Sequence, residues 1–483
     1  MTLHQKLDHH EDSLRPPDPK TSHRLFQAGC FGLAGTLVWL IYRSPVQDAI
    51  LLAMGGLVVV LGSVPALYWA RKGDAHFPVF EVFMLTTIPF YGVSLLSGHP
   101  EVLSFSDGAT VSAGGAILLF QVCAISAFMG SRGEVSRSPH LTTTLLPAAA
   151  FRFAQTGIWL NTVYLYVQGF TDYIPGEFRI LFRSMFFGIS TVSLFIEMRR
   201  WGNRELVQSE KGVVVVNLFV QLVFMFRELY LIAGISLLLI ALLAYVSTSR
   251  RIPLVAIAAV LPLIAVLHSG KAVMRYQYWE QKAPLPDLSG LPGFFEQWVE
   301  HGLRGKSEDS DAASTSLAGR LFERASLFQM LCLVTERTPD IEPFLAGESY
   351  LYLPAQMVPS FLWPGKPSSL KSNILLAIHY RLVPEDNPTN VSIAFGMVAE
   401  AYANFGLIGC ATLGLLLGFA YKRVTAAAVG APQFSALGLL TILLGAWGFQ
   451  AEQIFATWVV SLFQASLVVI GLPMVFRILF RQE

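Results

Sequence analysis

The chain has 483 residues, of which 53% are hydrophobic and only 14% charged, against about 25% charged in soluble globular chains. The mean hydropathy of +0.53 points the same way. With a formal net charge of +1, this composition speaks against a soluble enzyme, a disordered chain, a coiled coil and a nucleic-acid binder. Four cysteines (Cys30, Cys123, Cys332, Cys410) show no CxxC spacing and no His-rich companion, so no disulfide framework and no metal site is expected.

The first 24 residues are polar and carry prolines (DSLRPPDPKTSHR), unlike a cleavable leader. They read as a cytoplasmic tail, residues 1–24. A membrane-spanning helix needs about 20 mostly apolar residues. Twelve stretches qualify or come close: 25–42, 49–69, 78–97, 110–130, 143–169, 178–197, 212–226, 229–248, 252–268, 405–421, 434–450 and 456–476. Spans one to nine occupy 25–268, a large loop fills 269–391, and three spans with a short tail fill 392–483. The expected fold class is an all-α polytopic membrane protein of about twelve transmembrane helices with one large loop.

Basic residues in short connections set orientation. With the N-terminus inside, eighteen Lys and Arg fall on the inner side, among them Arg71, Lys72, Arg199, Arg200, Lys422 and Arg423. The short outer connections hold Arg43 and Arg227. Both termini are therefore expected in the cytoplasm and the loop outside, in the periplasm of a bacterium. Within that loop, RGKSEDSDAASTS (304–316) is low in complexity and reads as disordered. An amphipathic helix is expected from Ser316 to Arg337, closed by Thr338-Pro339. A second short helix is expected from Ser372 to Leu382. The aromatic run GESYLYLPAQMVPSFLWPGKP between them suits the membrane interface.

Ionisable groups at membrane depth are functional candidates. Arg152 lies inside span five, where snorkelling is the alternative reading. Arg179 and Arg183, four apart, share one helical face at the outer end of span six. Arg227-Glu228 interrupts a long apolar run at an outer turn that Gly, Asn or Ser would serve more simply. The loop adds Lys271, Arg275, Arg320, Arg324, Lys366 and Arg381. Singly these are surface charges; together they suit a polyanionic lipid head group, for which arginine offers planar, bidentate donors. Among the carboxylates, Glu400 sits in the apolar stretch SIAFGMVAEAYANFG, where the chain re-enters the membrane, as a general base or an arginine's partner. Glu348 is a second choice, beside Glu385, Asp386 and Glu452, and His379 is a further candidate base. Gly414 and Gly418 form a small-residue packing face.

Three stretches carry a family resemblance: FRELYLIAGISLLLIALLAY, the run from Arg320 through TPDIEPFLAGESYLYLPAQMVPSFLWPGKPSS, and SIAFGMVAEAYANFGLIG. With the span count and the late loop, residues 212–421 resemble the Wzy-type O-antigen and exopolysaccharide repeat-unit polymerases. That resemblance implies a metal-independent, cofactor-free glycosyltransferase of the GT-C-like class in the bacterial inner membrane. It would move a growing glycan from undecaprenyl pyrophosphate to a new lipid-linked repeat unit, at the periplasmic face. Its partners would be these lipid-linked glycans, the bilayer, and the chain-length regulator and flippase of the same pathway, with no nucleic acid.

On that reading, pyrophosphate binding falls to Arg227, Lys271, Arg275, Arg320 and Arg324, with Arg179 and Arg183 next. Pre-placed cations stabilise a leaving group whose charge grows as its bond breaks. Glu400, then Glu348, would take the acceptor's proton. Tyr350, Tyr352, Phe361, Trp363 and Tyr380, with Lys366 and Arg381, would contact sugars, unless the aromatics serve as interfacial anchors. Three rival readings fit the same pattern: an O-antigen ligase, which shares the architecture and the donor, a lipid-linked sugar flippase, and a non-catalytic assembly partner.

Overall fold

The computed structural model describes residues 19–73, 76–130, 139–145, 150–171, 173–249, 251–304, 326–358, 362–363, 365–368, 370–383 and 393–479. Among these the chain is helical and forms no strand; Thr144 and Ser435 make one isolated bridge. Ten helices are long and apolar enough to cross a membrane. The chain divides into two compact units, one of residues 1–150 and 325–483, the other of residues 151–324.

The first unit opens with α1 (Pro19–Arg43), α2 (Ala49–Lys72), α3 (Val79–Leu96, with a π-helical turn at Ile88–Gly92) and α4 (Asp107–Gly130). Gln121 of α4 ties three of these together: its Nε2 donates to the Val58 carbonyl (3.1 Å) and to Thr87 Oγ1 (2.7 Å). A buried amide of this kind fixes helix register in an otherwise featureless apolar interior. The unit's C-terminal half holds α11 (Phe328–Arg337), α12 (Lys371–His379), α13 (Gly396–Ala428), α14 (Ala436–Gly448) and α15 (Phe455–Ser466, running on through a π-helical turn at Leu467–Gly471).

Helix α13 is not straight. It breaks at Phe405 and Gly406, where Gly406 takes φ +60°, a backbone conformation that costs glycine nothing. The chain turns sharply there, so that the Cys410 thiol reaches the Val398 carbonyl at 3.7 Å. Beyond the break, Gly414 and Gly418 press against the Phe120 and Ala124 carbonyls of α4, leaving no room for a Cβ. The expected small-residue face is therefore used within the chain.

The second unit holds α5 (Ala150–Phe170), α6 (Gly176–Gly202), α7 (Gln208–Arg227), α8 (Leu231–Ser249), α9 (Leu254–Arg275) and α10 (Leu291–Arg304). At its heart Gln221 Nε2 donates to Asn217 Oδ1 (2.6 Å) and the Ile158 carbonyl (3.0 Å). Gln221 Oε1 accepts from Asn161 (2.7 Å) and Ser190 (2.9 Å). Three helices are thus joined by amide and hydroxyl groups inside the apolar layer.

Two of the twelve expected spans differ from the other ten. Span five is helical as α5 and carries Gln155, Asn161, Thr162 and Gln168, of which Asn161 and Thr162 join that polar network. Span eleven is α14, only 13 residues, or about 20 Å at 1.5 Å per residue, against a hydrocarbon core of about 30 Å. Span nine is longer than expected: α9 continues to Arg275 and through a π-helical turn, Tyr276–Glu280. Lys271 and Arg275 therefore stand on this helix and not in the loop. The loop is also not one body. Helix α10 packs on α9, with Trp298 fully buried and its Nε1 donating to the Leu267 carbonyl (2.7 Å), while α11 and α12 belong to the first unit. The expected helices at Ser316–Arg337 and Ser372–Leu382 correspond to α11 and α12. The first half of the former, and the polar run 304–316 after Arg304, lie outside the described residues.

Candidate functional site

In the second unit, α5 ends at Phe170, α6 begins at Gly176, α7 ends at Arg227, α8 begins at Leu231 and α9 ends at Arg275. These termini share one end of the unit and gather four arginines. Arg227 is 6% exposed; its Nε donates to the Pro286 carbonyl (2.8 Å) and its Nη1 pairs with Glu228 (2.7 Å). Its guanidinium lies 4.4 Å from the Phe170 ring centre. Arg275 Nη2 donates to the Leu229 carbonyl (3.0 Å), and its guanidinium lies 4.1 Å from the Trp279 ring centre. Leu229 itself is fully buried at φ +60°, a strained conformation for a branched side chain that the surrounding packing must hold.

Tyr230 joins the set. Arg183 lies 5.0 Å from its ring centre and Arg275 5.8 Å, so the two guanidinium groups are within about 11 Å of each other, both in cation–π range of one ring. The Tyr164 hydroxyl donates to the Arg179 carbonyl (2.8 Å) and lies within the fields of Arg179, Arg183 and Glu228. Arg179 and Arg183 are exposed, and Lys271 sits half-buried one turn before Arg275. Arg179, Arg183, Arg227 and Arg275 are thus brought together as a cluster. Arg320 and Arg324 lie outside the described residues, as does the side chain of Arg152.

The carboxylates stand in the first unit. Glu400 is fully buried on α13. Its Oε1 accepts from Ser349 Oγ (3.0 Å) and its Oε2 from the Phe455 backbone N–H (2.6 Å) at the start of α15. Asn404, one turn on, donates to Ser349 Oγ (2.8 Å) and accepts from the Gly347 N–H (3.0 Å). Ser372 Oγ donates to the Ser349 carbonyl (2.7 Å). The Leu345 and Ala346 amides donate to the Ala403 and Asn404 carbonyls. The segment 345–349 is therefore bound to α13 by its backbone and by Glu400. Glu348, its neighbour, points outward and is exposed. Glu385, Asp386 and Phe361 lie outside the described residues.

The proposed sugar contacts fall into different surroundings. Tyr380 is fully buried with its hydroxyl on Thr338 Oγ1 (2.8 Å), and burial pushes that hydroxyl up to about 12. Tyr350 is flanked by Phe405 and Phe455, its hydroxyl pushed up by burial and by the charge of Glu400. Lys366 Nζ donates to the Gln356 carbonyl (3.0 Å) and the Val358 carbonyl, and partial burial lowers its ammonium below the usual lysine range. Lys371 stands over the ring of Tyr352 at 6.0 Å. Trp363 is 49% exposed, and Arg381 pairs with Glu342 (3.0 Å) at the surface. His379 meets the Pro343 carbonyl at 3.0 Å.

Sequence reasoning missed Ser349, Asn404, Tyr230, Phe170 and Trp279. Asn404 follows Glu400 by four residues and so shares its helical face, a signal that was available. No local pattern announces which ring an arginine will lie against. Among the described residues no group of three or more His, Cys, Asp or Glu is placed to hold a metal ion.

Fold and site together describe a multi-pass helical membrane protein with an arginine-rich, aromatic-lined helix end in one unit and a buried, fully bonded carboxylate in the other. The chain belongs to the family described as domain of unknown function DUF8712, which matches residues 144–447. No curated protein and no solved structure matches it.

Proposed function

We propose that the chain is a Wzy-type polymerase of undecaprenyl-pyrophosphate-linked repeat units. In this reading it lies in a bacterial inner membrane with both termini cytoplasmic and works at the periplasmic face. The observation that carries the reading is the gathering of Arg179, Arg183, Arg227 and Arg275 at one helix end. That end is the outer one by the distribution of basic residues.

The chemistry follows from charge. When the glycosidic C–O bond to the carrier breaks, its electron pair stays on the pyrophosphate oxygen. Arginines already held by rings and carbonyls meet that growing charge without reorganising, which lowers the barrier more than it tightens ground-state binding. Arg227 shares its charge with Glu228 (2.7 Å), whereas the exposed Arg183 lies against the Tyr230 ring (5.0 Å), a contact that holds a guanidinium without neutralising it and so leaves charge for a di-anion. The acceptor hydroxyl attacks the sugar carbon and gives its proton to a carboxylate. Of the two candidate carboxylates, both in the first unit, Glu348 is the exposed one. Glu400, with both oxygens engaged and no surface, suits a positioning role, holding the segment that bears Glu348. Trp363 is the aromatic best exposed to stack on a sugar; Tyr380 is enclosed.

The test is the profile of lipid-linked glycans in a deletion strain. Single repeat units accumulating on undecaprenyl pyrophosphate at the periplasmic side are the expected result. Long chains held on the carrier would make the protein a ligase, and single units confined to the cytoplasmic side a flippase; either overturns the reading.

A further inference from the structure

The arginine end of the second unit carries an anion of its own. Glu228 Oε1 lies 2.7 Å from Arg227 Nη1. The two partners are held unequally. Arg227 is buried, donates through Nε to the Pro286 carbonyl and lies against the Phe170 ring, so its place does not depend on Glu228. The Glu228 side chain is 35% exposed. Among the described residues Arg227 is the donor that holds it.

The pair is also open on one side. A Cβ on Gly169, in the last turn of α5, would stand 3.3 Å from Arg227 Nη1 and 3.8 Å from Glu228 Oε1. Glycine keeps that approach uncovered. Glu228 shares its surroundings with the two exposed arginines, since the Tyr164 hydroxyl lies in the fields of Arg179, Arg183 and Glu228 together. Three guanidinium groups and one carboxylate thus occupy this corner, and the carboxylate is the member free to swing into water.

A carboxylate and a phosphate oxygen make the same kind of charge-assisted contact with a guanidinium. We propose that Glu228 is a built-in competitor for diphosphate: a bound diphosphate takes its place at Arg227, and Glu228 retakes that place as the diphosphate leaves. This rests on the reading of the helix end as a diphosphate site and adds to it how the site is emptied. Being tethered, Glu228 competes at a high effective concentration. The guanidinium stays on its ring and carbonyl throughout, and the carboxylate is the part that moves. Such a competitor weakens the hold on the anion and so favours its release. A transferase whose leaving diphosphate must depart after every addition gains turnover from that.

The experiment is calorimetric titration of the purified full chain in detergent with inorganic pyrophosphate at fixed ionic strength. Glu228→Gln should bind pyrophosphate about tenfold more tightly than wild type, because a close like charge has been removed. In an Arg227→Gln background the same substitution should change affinity less than about twofold, since residues that act through one contact are not additive. Asp287→Asn, beside Pro286 but bonded to Ser289 and Gly290, should leave affinity near wild type. Equal or weaker binding by Glu228→Gln overturns the proposal. So does a gain that persists without Arg227 or is matched by Asp287→Asn, because a general change of field then explains it. Should Glu228→Gln not fold, Glu228→Asp, whose carboxylate is drawn back from Arg227, decides by the same comparison. Pyrophosphate binding to none of these proteins also overturns it. The polymerase reading is judged separately, by the lipid-linked glycans of the deletion strain: it can fail there while the exchange at Arg227 holds, and it can stand while Glu228→Gln binds no more tightly.

Discussion

The two units treat buried charge in opposite ways. In the second unit, Arg227 and Arg275 rest on the rings of Phe170 and Trp279 and donate to the carbonyls of Pro286 and Leu229. Arg227 also pairs with Glu228 (2.7 Å), so ring, carbonyl and carboxylate together fix its position. In the first unit, Glu400 is wrapped by a hydroxyl and a helix's first N–H groups. Donors of that sort satisfy a carboxylate and hold the elements that supply them. One arrangement gathers cations and rings at a helix end, and the other ties a carboxylate into the fold.

The largest expected effect tests the second half of this contrast. Glu400→Ala would strand the Ser349 hydroxyl and the Phe455 N–H in the interior. Buried groups left unmet cost about 1–3 kcal/mol each, so the variant should lose about 3 kcal/mol or more, read as a collapse of the monodisperse peak in size-exclusion chromatography. Glu400→Gln keeps an acceptor and the volume. It should fold and retain most of the polymer-forming activity proposed for the chain. A well-folded Glu400→Gln without polymer would instead make Glu400 the base.

Next comes the arginine end. Arg227→Gln keeps length and a donor but removes the charge. If the cluster stabilises a leaving pyrophosphate, polymer formation should fall about 100-fold, the usual effect of losing one transition-state donor, with folded protein little changed. Polymer formation at the wild-type rate in that variant would show that the charge is structural.

How much of this was legible differs between the units for a physical reason. The arginine end was readable because membrane helices alternate direction. Once spans were marked, Arg179, Arg183 and Arg227 had to share an end, whatever the side-chain packing. Arg275 was placed with them too, but in the loop; it stands on α9, which runs on past residue 268, and span length is what hydropathy marks least well when aromatic residues such as Tyr276 and Trp279 prolong a helix. The satisfaction of Glu400 was not readable. Its partners Ser349 and Phe455 lie 51 and 55 residues away, and an apolar flank says that a carboxylate is buried without saying who meets it. The same holds for α5, whose polar residues weaken its hydropathy because they bond to Gln221 and Asn217.

A third, smaller effect concerns the packing on α4 of the far half of α13, the helix that carries Glu400. Gly418 lies against the Ala124 carbonyl, so Gly418→Leu must push α13 from α4. Overpacking of this kind costs about 1–3 kcal/mol, and the midpoint of thermal unfolding should fall by several degrees. The arginine end lies in the other compact unit, so any polymer formed per folded molecule should be less affected than in Arg227→Gln. An unchanged midpoint would mean that the two helices are not pressed together at Gly418.

The smallest effect sets the baseline against which both halves of the contrast are read. Arg381 carries a full charge and a short ion pair to Glu342 (3.0 Å), yet its side chain is 74% exposed. Water screens such a pair, and holding two long side chains in one geometry costs entropy that offsets the attraction, leaving about 0–1 kcal/mol. Arg381→Ala should therefore leave the unfolding midpoint within a degree or two and polymer length unchanged, although the residue carries the same guanidinium as Arg227. A loss of polymer with an unchanged midpoint would put Arg381 in contact with substrate and make exposure, not burial against rings, the mark of a working arginine in this chain.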